Sequence, residues 1–387
     1  MVNTKKMLVG VVSTLLFVPM LAACGNNSDS SQSTAKATTK QTAVQKGTQK
    51  LENIVTDLQA ALKKQDTDKV KKLGKSVNDQ WLAYENGVRD KFPLLYAQVE
   101  KYEQPIYAQS NMNQPDVEAM KEDAGHLQNT LKQLMTAKAT QEKESKVLNQ
   151  AVANYKKYVT AQVDKLVTTT EAFAQAVDQG NITEAKKRYV ATRPYYERVE
   201  PIAESFGDLD PRIDARINDV DNVKNWTGFH EIERALYQKN TLDGQKQYAD
   251  QLVKDVKELQ AKVKTVKLKP KAMVAGAMDL LNEAATSKIT GEEERYSHID
   301  LLDLQANVDG SEAVYQAAIP ALNVSHKALG NQIDKQFQVV DNELLNYQKQ
   351  GQFESYTEFE KNKDQVKALS NELEKLSKLM AQSADIF

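Results

Sequence analysis

An all-α fold is predicted by three features of this 387-residue sequence. Glycine and proline are sparse, at 15 and 9 residues, so few positions interrupt a helix. Ala, Lys, Gln, Glu and Leu, all good helix formers, dominate the composition. Apolar residues recur at three-and-four spacing over long stretches, the pattern of a helix with one buried face. No segment requires a strand.

The first residues predict export. Lys5 and Lys6 precede an apolar stretch from Met7 to Met20, followed by Leu21, Ala22, Ala23 and Cys24. About 14 apolar residues fall short of the roughly 20 that span a bilayer, and small residues lead up to a cysteine, so residues 1–23 read as a signal peptide ending in a lipobox. Cys24 is the only cysteine; it stands where lipid attachment needs a thiol and leaves none for a disulfide or a thiolate metal site. Residues 24–45 are nearly all small and polar and bury too little apolar area to become ordered, so they read as a flexible tether behind the lipid. The expected location is the extracytoplasmic face of a bacterial cell membrane. Removing residues 1–23 deletes Lys5 and Lys6 and leaves 49 basic against 53 acidic side chains, a formal charge of −4. Both signs are interspersed, and without a basic block nucleic-acid binding is excluded.

Two helical modules follow. The run AQSNMNQPD, residues 108–116, separates an N-terminal helical hairpin from a helix beginning near Asp116. Polar residues from Thr136 to Lys146 mark a softer boundary, giving a smaller module at 46–140 and a larger one at 141–387 that can pack as one body. Between Ser145 and Asp178, Leu148, Val152, Tyr155, Val159, Val163, Leu166, Phe173 and Val177 predict one long helix. Gly180 suits its C′ position and Asn181 the N-cap of the next helix, so a helical hairpin is expected. Val366, Leu369, Leu373, Leu376 and Met380 form an a/d-like seam that closes the chain as a packed helix. YAQVE at 96–100 echoes YERVE at 196–200. So short a match leaves a duplicated unit and plain core contacts both open.

Histidine occurs four times, and His230 stands out. In NWTGFHEIERALY, residues 225–237, Phe229, Ile232, Leu236 and Trp226 line one helical stripe. His230 and Glu233 are three apart, one turn apart on one side of a helix, where they can converge on one cation. Imidazole plus carboxylate suits Fe, Zn, Mn or Cu better than Ca or Mg. A lone His-x-x-Glu is short, and an ordinary pairing stays open. Glu231 points away from that face. Arg234 occupies the place of the second histidine of HExxH, which removes the main support for a zinc peptidase. Upstream, residues 191–216 carry Glu197, Glu200, Glu204, Asp208, Asp210 and Asp214. Glu197, Glu200 and Glu204 step by three and four, so they are expected on a common side of a helix bent at Pro194, as a solvated stripe or as ligands. After Gly291, Glu292, Glu293 and Glu294 read as a helix N-terminus whose carboxylates complement the dipole, with His298 a weaker ligand candidate.

The blocks RPYYERVEPIAESFGDLDPRIDAR, WTGFHEIERAL and ITGEEERYSHIDLLDLQANVDG, in that order, resemble the EfeO/EfeM iron-uptake lipoproteins of the imelysin-like family. The likeness spans roughly residues 145–387. It implies an imelysin-like domain of two bundle-like halves that is not an enzyme. Such a domain binds iron, Fe2+ or Fe3+, or another divalent transition metal, and works with a membrane iron permease and a haem-peroxidase-like partner. The family's His-x-x-Glu motif carries over onto His230 and Glu233, with Glu197 and Asp214 as the next ligands by position and Glu200 and Glu204 behind them. The chain departs from longer relatives: residues 46–140 read as helical where those have a cupredoxin-like β-domain. In residues 81–103, Glu85, Glu100 and Glu103 stand near Tyr84, Tyr96 and Tyr102, as a helical scaffold with a wet face or a second iron-handling or docking face. Two other classes remain open, a metallopeptidase of imelysin type and a non-catalytic helical surface scaffold.

Overall fold

The computed structural model describes residues 42–386 apart from Asn113, residues 139–144 and Asp221. The expected signal peptide, Cys24 and nearly all of the tether lie outside the described residues, as does the side chain of Glu204. The first helix, α1 (Ala43–Lys64), starts inside the stretch assigned to the tether. A capping box explains this. The Thr42 hydroxyl accepts from the Gln45 N–H at 3.2 Å while the Gln45 side chain accepts from the Thr42 N–H at 3.0 Å.

α1 is followed by α2 (Thr67–Leu82), α3 (Glu85–Lys91), α4 (Pro93–Asn111) and α5 (Val117–Thr136). Their apolar faces enclose a core that includes Leu51, Leu58, Trp81, Val99 and Leu127. The remaining helices are α6 (Lys146–Asp178), α7 (Ile182–Glu197), α8 (Leu209–Asp214), α9 (Phe229–Glu233), α10 (Lys246–Thr265), α11 (Pro270–Thr286), α12 (Asp300–Ser325), α13 (Lys327–Leu345), α14 (Tyr356–Phe359) and α15 (Lys363–Ser383). They share a second core. α6, α7, α10 and α12 pack together on one side of it, and α11, α12, α13 and α15 on the other, giving two bundle-like halves joined through α12. α4 packs on α11, where Gln104 donates to Glu283 at 2.6 Å.

The periodicity of the sequence is realised. Every apolar position expected along α6 is buried except Val152, which is half-buried. Gly180 is left-handed (φ +65°), and Asn181 caps α7 by accepting from the Glu184 N–H. Two features differ from expectation. A short antiparallel ribbon pairs Gln348–Lys349 with Gln352–Phe353, made possible by two successive left-handed residues, Gln350 and Gly351, which give the turn a twist that suits a hairpin. The stripe expected on one helix is also split. α7 ends at Glu197, and Glu200–Phe206 continue as a 3₁₀ helix, which redirects Glu200 relative to Glu197.

Gly276 on α11 lets this 3₁₀ helix approach, since a Cβ there would collide with the Pro201 carbonyl oxygen, a backbone atom that cannot step aside. Gly276→Ala is therefore expected to lower stability by about 1–3 kcal/mol through overpacking and to displace Glu200. Thermal melting combined with the iron titration described below measures both effects.

Candidate metal centre

His230, Asp214, Glu233 and Glu293 meet because three local devices hold their backbones. Trp226 Nε1 donates to the Ala215 carbonyl at 2.6 Å, and the Thr227 hydroxyl donates to the Arg212 carbonyl at 2.9 Å. Gly228, at φ +91°, lies so close to the Ile213 carbonyl that only a residue lacking Cβ fits. Together they fasten the end of α8, with Asp214, to the start of α9, with His230. α9 runs on into a π-helical turn at Arg234–Gln238, so the Phe229, Ile232 and Leu236 stripe stays buried while His230 faces the cleft.

Within α9, His230 Nδ1 lies 2.9 Å from Glu233 Oε2. The other Glu233 oxygen accepts from the backbone N–H groups of Tyr296 and Ser297, both at 2.7 Å. With both oxygens of Glu233 engaged, Nδ1 keeps its proton, and Nε2 is the nitrogen that exposes a lone pair once the ring is neutral. Nε2 is buried with no hydrogen-bond partner among the described residues, and it lies 3.5 Å from Asp214 and 3.7 Å from Glu293. His230, Asp214 and Glu293 can converge on one ion, and His230, Glu233 and Glu294 form a second grouping on the Nδ1 side.

Behind the imidazole lies a charge network. Arg193 is fully buried and bonds Asp214 and Glu197, with Glu294 at 2.8 Å, Asp303 at 3.2 Å and Glu293 at 3.8 Å. Lys288 reaches Glu200 at 2.7 Å and Glu197 at 3.2 Å, and Asn307 donates to both acids. Arg216 holds Glu292 at 2.9 Å and Glu293 at 3.3 Å. Seven carboxylates (Glu197, Glu200, Asp214, Glu233, Glu293, Glu294 and Asp303) thus face three permanent cations, Arg193, Arg216 and Lys288. With more acids than cations, the network is balanced by protons held on Glu200, Glu294, Asp303 and His230, and a metal ion can replace them.

Of the residues singled out in the sequence, His230, Glu233 and Asp214 come together. Glu197 bonds Arg193 and Lys288 and Glu200 bonds Lys288, next to Asp214, which Arg193 also holds. Glu231 turns away as expected, to Arg234 at 2.5 Å. The sequence predicts a helix N-terminus at Glu293 and Glu294, but α12 begins only at Asp300, and residues 293–297 form turns that carry these two acids into the site. Gly291 starts this excursion in a left-handed conformation against the Tyr356 ring. His298 belongs to neither grouping.

Protonation follows from burial. Burial pushes Asp214 up to about 6, Asp300 to about 7 and, with Glu233 beside it, Glu294 to about 8. Glu293 is also buried, but Lys288 and Arg216 outweigh this and hold it well below the usual carboxylate range. For His230, burial favours the neutral form, yet Asp214, Glu233 and Glu293 together raise it well above an ordinary imidazole. Groups raised on folding hold extra protons in the folded state, so the stability they contribute is lost as pH rises through their folded values. The metal-free protein is therefore expected to melt lower at about pH 8.5 than at about pH 5.5, with bound cation restoring most at the higher pH because it replaces those protons. Melting curves with and without metal measure both.

The site opens into a cleft of about 1100 Å³ lined from both cores. Among its described lining residues, fourteen are Asp or Glu and four are Arg or Lys. Such a surface concentrates cations and repels anions.

The imelysin family model, peptidase M75, matches residues 151–382. The iron uptake system component EfeM of Bacillus subtilis (strain 168) is 44% identical over 380 residues, 97% of this chain and 98% of its own. An Efem/EfeO family lipoprotein of Staphylococcus haemolyticus (strain JCSC1435) is 46% identical over 242 residues, 61% of this chain and 83% of its own. One from Staphylococcus aureus (strain NCTC 8325 / PS 47) is 44% identical over 241 residues, covering 59% and 84%.

Proposed function

We propose, from the premise that this chain belongs to the imelysin family and within it to the EfeM/EfeO lipoproteins, that it binds iron outside the cell membrane and supplies it to a membrane iron permease. The observation that carries this reading is the orphaned Nε2 of His230, buried between Asp214 and Glu293 in a cleft of strongly acidic lining. A buried imidazole nitrogen between two carboxylates needs a positive charge there, and a cation can take the place of the proton that those carboxylates hold on the ring. One nitrogen and two carboxylates suit iron or another first-row divalent ion. In this reading His230, Asp214 and Glu293 are the ligands. Glu233 fixes the imidazole tautomer, and Glu197 and Glu200 neutralise Arg193 and Lys288. The cargo reaches the site by electrostatic funnelling along the cleft.

The lipobox at Cys24 and the relatives' names support a lipid anchor, and a tether of about 18 residues would let the folded part stand clear of the membrane. A haem-peroxidase-like protein of the same uptake system is the second partner that the family implies. Hydrolysis has little support from the geometry. The carboxylates that would have to act as base, Glu231 and Glu197, are held by Arg234 and by Arg193 with Lys288.

Equilibrium dialysis of the full-length chain against iron, alongside a casein-type protease assay, tests the reading. Iron binding without proteolysis is expected, and Asp214→Asn together with Glu293→Gln is expected to remove most of the binding. Full binding by that double variant, or proteolysis lost with it, would sink the proposal.

A further inference from the structure

The ligands assigned above come from the larger core. The wall contributed by the N-terminal core holds chemistry that this assignment leaves unused. Glu100 and Glu103 are three apart on α4, so their side chains stand one turn apart on one side of the helix, the same relation as His230 and Glu233 on α9. Both line the cleft, and both are buried, at 5% and 1% exposure.

Their hydrogen bonding differs. Glu100 accepts from the Trp81 indole and from Gln104 at 2.8 Å. Glu103 Oε1 is buried with no hydrogen-bond partner among the described residues. An acceptor aimed into a polar cleft and left unsatisfied costs free energy that a bound cation would recover. Burial, followed by the charges of Glu100 and Glu85, pushes the Glu103 carboxyl well above its ordinary range. Arg89, the cation on this wall, lies 3.8 Å from Glu85 and stacks on Tyr96.

We propose that Glu100 and Glu103 form a second cation position, on the N-terminal wall of the cleft, with an all-oxygen ligand set that takes a hard ion such as Mn2+ or Fe3+. The inference rests on the reading of the cleft as a cation path and gives the N-terminal module a part in it. An oxygen-only pair prefers harder ions than the imidazole-containing site does. A cation captured there neutralises both acids and lies in the same cleft as His230.

Mn2+ titration of the full-length chain in detergent, with the free ion followed by EPR, is the test. Two bound equivalents are expected in the wild type, and the isosteric Glu103→Gln and the separate His230→Ala are each expected to halve the bound Mn2+. Undiminished binding by Glu103→Gln overturns this proposal and leaves the His230 reading standing if His230→Ala still loses an equivalent. Loss confined to Glu103→Gln overturns the His230 reading instead. A second measurement avoids substituting either acid. Trp81 and Trp226 are the only tryptophans, so Trp226→Phe leaves Trp81, bonded to Glu100, as sole sensitiser. Tb3+ emission excited through tryptophan is expected from that variant, and its absence overturns the proposal.

Discussion

Replacing His230 by alanine is expected to abolish iron binding, whereas Glu233→Gln is expected to weaken it by about 10–100-fold. The difference follows from the engagement of each atom. Both Glu233 oxygens are committed, one to His230 Nδ1 and one to the backbone N–H groups of Tyr296 and Ser297. Its loss loosens the ring and the 293–297 turn while leaving Nε2 in place. Removing His230 deletes the only nitrogen donor in either grouping. Anaerobic titration calorimetry with Fe2+ gives both values. Equal losses would move the ion to the Nδ1 side, among His230, Glu233 and Glu294, and would make Glu233 a ligand.

The same two residues show what the sequence can and cannot convey. Their spacing is local, and helical geometry alone places them together. The long helices are legible for the same reason, since Leu148, Tyr155 and Val163 recur with the helix period and Asn181 marks a cap. The rest of the site depends on distant segments. Asp214 reaches His230 only because Trp226, Thr227 and Gly228 bind the backbone of residues 212–215. Glu293 and Glu294 resemble a run of helix-starting acids until Gly291 and Tyr356 fold the segment inward. Nothing local reveals that Arg193 and Lys288, residue types usually found at surfaces, are buried against Glu197 and Glu200. Nor does the sequence show that the N-terminal module walls the same cleft. Its Glu100 and Tyr96 echo Glu200 and Tyr196, and Glu100 and Glu200 both line that cleft.

Arg193→Met is expected to destabilise the protein by about 3–5 kcal/mol, the usual cost of removing one partner from a buried charge network. At about 2–4 °C per kcal/mol, melting would fall by roughly 10 °C. The side chain is fully buried among Glu197, Asp214, Glu294 and Asp303, and no water can replace its charge. Asp303→Asn added to the variant should recover part of the loss by removing one of the stranded carboxylates. Bound divalent cation should also raise the melting temperature of Arg193→Met more than that of the wild type, because the ion then answers charge that the guanidinium formerly answered. A variant that melts within about 1 °C of the wild type would mean that these acids carry protons instead of negative charge. The charge demand of this network, and with it the electrostatic basis for holding a cation at His230, would then disappear.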